Sequence, residues 1–459
     1  MALRKILVAN RGEIAVRIIR AARDLGIRTV QVFSAADRAM LAARMADETV
    51  EIGPAPAARS YLNREALVAA ALACGADAVH PGYGFLSEDP RFAEAVAAAG
   101  LVFIGPDAAT IRRMGDKAAA RAAAKAAGVP TVPGSAGRVA DAAAALALAD
   151  GIGFPLLIKA SAGGGGRSIR VCEDAEALAR QFPVAGAEAL AAFGDGGLYL
   201  ERFVPRARHV EVQVLGDGAD VVHLFERECS LQRRRQKIWE EAPAPCLGDA
   251  ARARLCDAAV RLAQGIGYRG AGTLEFLYDE ASGEFYFIEM NTRIQVEHPV
   301  TEMVTGIDIV REMIRIAGGE PLPFTQAEVA LRGHAIECRI NAEAPDRAFR
   351  PAPGRITALT VPGGPGVRFD TMLYDGYDVP PFYDSLLGKL VAWDATRAGA
   401  LARMRGALGE LTVAGLPTTA ALHRRLIDAP DVIAGAVYTG WLEAWLAARP
   451  SDPTEEART

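Results

Sequence analysis

Apolar and polar positions change period several times along this chain, and each change marks an element. Residues 5–9 form an apolar run that predicts a buried strand, Asn10-Arg11-Gly12-Glu13 turns the chain into a helical pattern ending near Gly26, and Thr29 to Phe33 reads as the next strand. Strand, helix and strand in this order predict a βαβ unit. Ala76 to His80 and Val102 to Gly105 are further apolar segments with helical neighbours, which extends the pattern to a parallel sheet over the first 105 residues. The dinucleotide glycine fingerprint is missing from this unit, so it reads as scaffold rather than as a cofactor site.

Ala-rich helical sequence and the turn cluster from Pro130 to Gly137 introduce a second region. There Pro155 to Lys159 and Ser168 to Val171 are strand-like and flank the glycine tetrad Gly163, Gly164, Gly165 and Gly166, which predicts a mobile hairpin in a small unit ending near Phe203. A β-rich body follows to about residue 330. Gly333 to Ile340 and the Pro/Gly-rich segment Pro351 to Gly366 open a final α+β region that reaches Leu446, and Pro450 to Thr459 reads as a loose polar tail.

Composition narrows the class without changing this layout. The chain has 459 residues, 51% of them hydrophobic, and a formal net charge of −5, which describes a folded, mildly acidic protein of several domains. An acidic balance argues against a nucleic-acid surface; the one dense basic run is Arg233-Arg234-Arg235 with Lys237. The cysteines (Cys74, Cys172, Cys229, Cys246, Cys256, Cys338) lack the spacing of a zinc site or redox pair, which points to reduced thiols in a cytoplasmic protein. Charge at Arg11 and Glu13 interrupts the N-terminal apolar run too early for a signal-peptide core, and no apolar stretch reaches the ~20 residues of a membrane span.

The most informative stretch runs from Gly272 to His298. Gly272 to Tyr278 and Glu284 to Met290 are strand-like around the turn residues Asp279 to Gly283, which predicts a hairpin. With the turn centred on Ser282, Glu275 falls opposite Glu289 and Thr273 opposite Asn291. Directly opposed residues have Cβ atoms about 4.5–5.5 Å apart, where like charges are destabilising unless a cation lies between them. Magnesium, commonly held by one or two carboxylates plus phosphates, fits that requirement. Glu289, Asn291, Arg293, Gln295 and Glu297 share one parity, so an extended chain would carry carboxylates, an amide and a guanidinium along one edge. Arg suits a planar anion and Glu297 a general base; a solvated sheet face is the bland alternative for the same alternation. Lys159, at a strand end before the glycine tetrad, stands where a phosphate-binding lysine is often found. Lys117, Glu201 and His209 carry no spacing signal of their own.

The chain resembles the biotin carboxylase family of ATP-grasp enzymes over nearly its whole length. The stretches that carry the resemblance include ANRGEIAVRIIRAA from Ala9, HPGYGFLSE from His80, GPDAATIRRMGDK from Gly105, RHVEVQVLGDG from Arg208 and ERECSLQRR from Glu226. They continue through EEAPAP from Glu240, YRGAGTLEF from Tyr268, FIEMNTRIQVEHPVTEM from Phe287 and RGHAIECRINAE from Arg332. The resemblance implies an α/β and α+β chain with the ATP-grasp fold. Its expected parts are an N-terminal Rossmann-like (pre-ATP-grasp) domain at 1–114, a helical linker at 115–135 and a mobile glycine-loop lid at 136–203. A large ATP-grasp subdomain at 204–329, a C-terminal α+β domain at 330–446 and a flexible tail at 447–459 complete them.

By the same resemblance, Lys117, Lys159, Glu201, His209 and Gln232 would bind ATP with Glu275 and Glu289, and the loop Gly163 to Gly166 would close over its phosphates. Glu275, Glu289 and Asn291 would hold magnesium or manganese. Lys237, Arg293, Gln295 and the Val296 backbone would hold bicarbonate, Glu297 would deprotonate it, and carboxyphosphate would follow. Arg339 would stabilise the biotin enolate, with Tyr83 near the biotin. Ala162, Ser168, Arg202, Arg235 and Pro365 depart from the usual family residues, the last at the expected homodimer contact beside Arg20, Asp24 and Arg368. No biotin-attachment stretch of the Ala-Met-Lys-Met type is present, so the biotin carboxyl carrier protein and the carboxyltransferase are expected on separate chains, as in acetyl-CoA carboxylase. The rival readings are another ATP-grasp acyl-phosphate ligase and a catalytically silent nucleotide-binding subunit.

Overall fold

The N-terminal alternation of apolar strand and amphipathic helix produces a five-stranded parallel sheet in the order Glu48–Glu51, Arg28–Phe33, Lys5–Val8, Ala78–His80, Val102–Phe103. Ile6 and Val8 pack with Ile14, Ile18 and Ile19 of the helix Gly12–Asp24, whose apolar stripe at i, i+4 faces the sheet. Strand order runs outward from Lys5–Val8 in one direction and then in the other. Ligands of open α/β sheets sit at such a reversal, beyond the carboxyl ends of the strands, and here those ends lead into Ala9 to Glu13 and Pro81 to Tyr83. The strand Glu48–Glu51 was not among the expected elements; it is a polar, half-exposed edge strand without an apolar run.

The computed structural model describes residues 3–160 and 169–448. Its described residues form two compact units, one drawn from 1–129, 208–276 and 289–459 and the other from 130–207 and 277–288. In the second unit the strand Leu156–Ala160 lies between Ile169–Cys172 and Leu198–Arg202, antiparallel to both, under the helices Ala142–Ile152 and Ala175–Phe193. Lys159 pairs with Ile169, so the strands around the glycine loop do form a ladder. The loop itself, Gly163 to Gly166 with Ala162 and Ser168, lies outside the described residues, as does the expected tail after Ala448.

The largest sheet has eight strands, in the order Glu284–Asn291, Arg269–Asp279, Arg208–Asp217, Val221–Arg233, Gln236–Ala242, His334–Asn341, Leu386–Asp394, Val367–Thr371. Gln236–Ala242 pairs directly with His334–Asn341, so one sheet runs across residue 330. Beyond it the apolar faces of Ile336, Cys338, Ile340 and Leu390 are covered by helices Arg397–Glu410, Ala420–Leu426 and Trp441–Ala447. Among the described residues none of the cysteines forms a disulfide, and no helix is long and apolar enough to cross a membrane.

Candidate active site

Several strands of the large sheet deliver charged side chains to one place. The strand Arg208–Asp217 alternates His209, Glu211 and Gln213 with Val210, Val212 and Val214, and both sets are buried. Neighbouring strands add Arg227, Lys237, Thr273 and Glu275. Arg227 is fully buried and donates to Glu211 Oε1 at 2.6 Å, Gln213 Oε1 at 2.8 Å, Thr301 Oγ1 at 2.9 Å, Thr273 Oγ1 at 3.2 Å and Gln295 Oε1 at 2.9 Å. A guanidinium in a dry interior is tolerable only when its donors are met, and here they orient four surrounding side chains besides neutralising Glu211.

Lys237 Nζ donates to three carboxylates, Glu211, Glu275 at 2.9 Å and Glu297 at 2.7 Å. Burial alone would lower this ammonium, but the three negative charges hold it well above its ordinary value. The converse holds for the acids. Burial would raise Glu275 and Glu297, yet Lys237 with His209 for the first, and Lys237 with Arg339 and Arg227 for the second, keep both below the usual carboxylate range. His209 Nε2 lies 3.2 Å from Glu275 Oε2; against its burial, Glu275 and then Glu211 lift the imidazole to about 9.

The polar row expected from Glu289 to Glu297 does not stay extended. The strand stops at Asn291, the chain bends at Thr292 and Arg293, and Glu297 already stands at the N-cap position of the helix His298–Thr305, without a capping hydrogen bond from its side chain. Glu88 holds the bend, accepting from the Thr292 backbone at 2.9 Å and from Arg293 Nε at 2.8 Å. The side chains converge because the chain folds back, not because they share a parity. Asn291 Nδ2 and Gln295 Nε2 both donate to Glu275 Oε1, at 3.0 and 2.8 Å, and Arg293 Nη2 donates to Asn291 Oδ1 at 2.8 Å.

Glu289 is exposed, and its carboxyl is raised, by local desolvation first and then by the charge of Glu275, with Lys117 pulling the other way. Two neighbouring carboxylates with an unbalanced charge and an adjacent amide oxygen are the hard donors magnesium takes, so Glu275, Glu289 and Asn291 fit that ion. His209, Glu211 and Glu275 also offer ligand atoms within 4.8 Å of one another. Lys237 and Arg227 already donate to those carboxylates, so a cation there would have to displace an ammonium.

Arg339 bridges Glu240, from Nε at 2.6 Å, and Glu297, from Nη2 at 2.9 Å. Glu240 faces Glu337 across the ladder, and burial drives both carboxyls up. Tyr83 sits on the turn after the strand Ala78–His80. Asn10 Nδ2 clamps that turn through Pro81 O and Tyr83 O, both at 2.7 Å, and a Cβ on Gly82 (φ +63) would lie 2.9 Å from the same nitrogen. The Tyr83 hydroxyl donates to Glu13 Oε1. A cavity of about 90 Å³ opens beside it, lined by Asn10, Arg11, Glu13, Tyr83, Phe85 and Asp384 among others. Lys389, fully buried, pairs with Glu13 at 3.0 Å and donates to Val296 O at 2.9 Å.

Other expected residues engage partners of their own. Lys159 and Glu201 form an ion pair in the second unit. Lys117 is an exposed residue at the start of the helix Lys117–Ala126. Gln232 turns its amide to Cys229 O at 2.8 Å. Arg234 and Arg235 form the two-residue turn between Arg233 and Gln236, at φ 48 and 66, a conformation in which Asn-Gly is preferred, and Arg233 stacks over Phe349 at 3.8 Å. Arg368 is held by Glu302 and Asp370, whereas Arg20 and Asp24 are exposed. Sequence reasoning missed Glu13, Glu88, Glu211, Arg227, Glu240, Glu337 and Lys389. For Glu211, Arg227, Glu240, Glu337 and Lys389 the available signal was charge inside strand-like runs with apolar neighbours, whereas Glu13, on a helix, and Glu88, in a turn, carried no such signal.

Comparison with known proteins bears on all of this. Residues 2–111 match the model of the biotin carboxylase N-terminal domain, 116–325 that of the carbamoyl-phosphate synthase L chain ATP-binding domain, and 337–444 that of the biotin carboxylase C-terminal domain. The biotin carboxylases of Nostoc sp. and Pseudomonas aeruginosa are 54% and 55% identical to this chain, over 96% of it and 98% of each relative. The biotin carboxylase domain dimer of Hydrogenobacter thermophilus 2-oxoglutarate carboxylase, solved with MgADP, ADP and bicarbonate, superposes with a TM-score of 0.89 at 46% identity, covering 98% of this chain and 100% of that one. With matches of this extent over every part of the fold, the chain belongs to the biotin carboxylase family.

Proposed function

We propose that the chain uses MgATP and bicarbonate to carboxylate N1′ of biotin carried on a separate biotin carboxyl carrier protein, through carboxyphosphate. The observation that carries this reading is the placement of Glu297: one oxygen meets Lys237 and the other Arg339, with Arg293 and Gln295 held nearby by Glu88 and Glu275. A carboxylate so placed can accept the proton of bicarbonate while the flanking cations take up the charge that develops. Lys237, Arg293, Gln295 and the Val296 backbone hold the anion in this scheme. Lys117, Lys159, Glu201, His209 and Gln232 hold the nucleotide together with the glycine loop Gly163 to Gly166. Magnesium on Glu275, Glu289 and Asn291 would offset phosphate charge during transfer.

Biotin enters beside Tyr83, where the sheet reversal leaves its cavity, and Arg339 meets the enolate. The structure solved as a dimer supports homodimerisation of this chain as well. The carboxyl acceptor belongs to a carboxyltransferase on another chain, with acetyl-CoA or propionyl-CoA as the acyl-CoA of choice, and the complex works in the cytoplasm. The deciding experiment is ATP hydrolysis by the purified chain with bicarbonate as the varied substrate. Hydrolysis must require bicarbonate and rise on addition of free biotin; hydrolysis indifferent to both overturns the reading.

A further inference from the structure

Lys389 carries one of the charges that burial removes completely from solvent. Its side chain belongs to the strand Leu386–Asp394, directly across the ladder from Arg339. A buried ammonium is costly without compensation, and Lys389 has two partners on the described residues. One is Glu13 Oε1 at 3.0 Å, and the other is the Val296 carbonyl at 2.9 Å. That carbonyl belongs to the peptide joining Val296 to Glu297. Glu13 in turn accepts from the Tyr83 hydroxyl, lines the cavity beside it, and leaves its buried Oε2 without a hydrogen-bond partner among the described residues.

We propose that Lys389 and Glu13 are positioning residues of the carboxylation reaction: the pair fixes the peptide in front of Glu297 and ties it to the Tyr83 wall of the cavity. This rests on the function proposed above. Neither residue need touch a substrate. Segment 292–297 has left its strand and has few backbone ladder bonds to hold it, so a charge-assisted bond to one of its carbonyls sets where the base and the anion-binding groups point. Displacement of such a segment by about 1 Å is enough to cost ~100-fold in rate. Because Glu13 shares one oxygen between Lys389 and Tyr83, whatever presses on Tyr83 from the cavity is felt at the peptide before Glu297.

The test uses the full chain with MgATP, bicarbonate and free biotin. Lys389→Met should raise the KM for bicarbonate ~10-fold or more and lower kcat, while the KM for MgATP stays within about twofold of wild type. Should the lone substitution fail to fold because it strands the Glu13 carboxylate, the double variant Glu13→Gln/Lys389→Met removes both charges together and should show the same split. Glu13→Gln alone keeps the shape of the pair and should raise the bicarbonate KM by ~3-fold. A folded double variant with an unchanged bicarbonate KM, or equal losses for both substrates, overturns the proposal. Absence of bicarbonate-dependent hydrolysis in the wild-type chain is a different result, which removes the parent reading instead.

Discussion

Glu240 and Glu337 stand directly opposite each other on adjacent antiparallel strands, both fully buried. Glu240 has Arg339 on one oxygen, whereas neither oxygen of Glu337 has a hydrogen-bond partner among the described residues. Burial raises both carboxyls and each faces the other across the ladder, with Arg339 pulling the other way, so the pair favours keeping a proton that isolated glutamates would release.

The first prediction follows from that proton. The ordinary glutamate value is 4.5 and burial raises Glu337 well above it, with Glu240 adding to the rise. A raised acid contributes stability that is fully present below the unfolded value and is lost as pH climbs through the folded one. Glu337→Gln, which mimics the protonated form, should therefore melt close to wild type at pH 5 and above it by ~1–2 °C at pH 8. Thermal denaturation of both proteins at the two pH values checks this; a gap that shrinks with pH contradicts it.

A second concerns the base. Glu297→Gln keeps an oxygen for Lys237 or Arg339 but takes up no proton, so nucleotide binding should stay within about twofold while carboxylation falls ~100- to 10,000-fold. Binding of a nonhydrolysable ATP analogue and turnover of free biotin separate the two effects, and wild-type turnover would defeat the assignment.

A third addresses the metal. Glu289 is exposed, and its carboxyl is raised by local desolvation and then by the charge of Glu275. Glu289→Gln should shift half-saturation by magnesium upward ~10-fold and lower turnover with it. An unchanged titration would mean that the ion is held elsewhere.

The fourth separates scaffold from chemistry. Replacing Arg227 by Met leaves Glu211 with Lys237 and His209 as its remaining cationic neighbours and takes the guanidinium donor from the buried side-chain oxygens of Gln213 and Gln295. The cost should be about 3–5 kcal/mol, read as a lower denaturation midpoint, with loss of activity following from loss of the fold.

What the residues announced and what they hid differ for physical reasons. Continuous apolar runs at Lys5 to Ala9 and Thr29 to Phe33 can only be buried strands, and they are. The hairpin around Ser282 was equally plain from its turn residues. Alternation in HVEVQVL, by contrast, tells which residues share a face but not whether that face meets water. In this sheet both faces are covered, so His209, Glu211 and Gln213 are interior. The bend at Thr292 depends on Glu88, more than two hundred residues earlier in the chain, and no local pattern encodes it. Lys389 and Glu13 meet for the same reason, through packing of the two ends of the chain.

On the proposed function, the grip of three carboxylates on Lys237 would give the resting pocket a particular selectivity. Its cations are already satisfied, so a neutral visitor gains little by parting them. On the proposed chemistry, bicarbonate alone brings the means of release: once its proton passes to Glu297, that side chain becomes neutral and loosens its hold on both Lys237 and Arg339. The dianion just created inherits the positive charge that the base has given up, and removal of the proton and stabilisation of what remains become a single event.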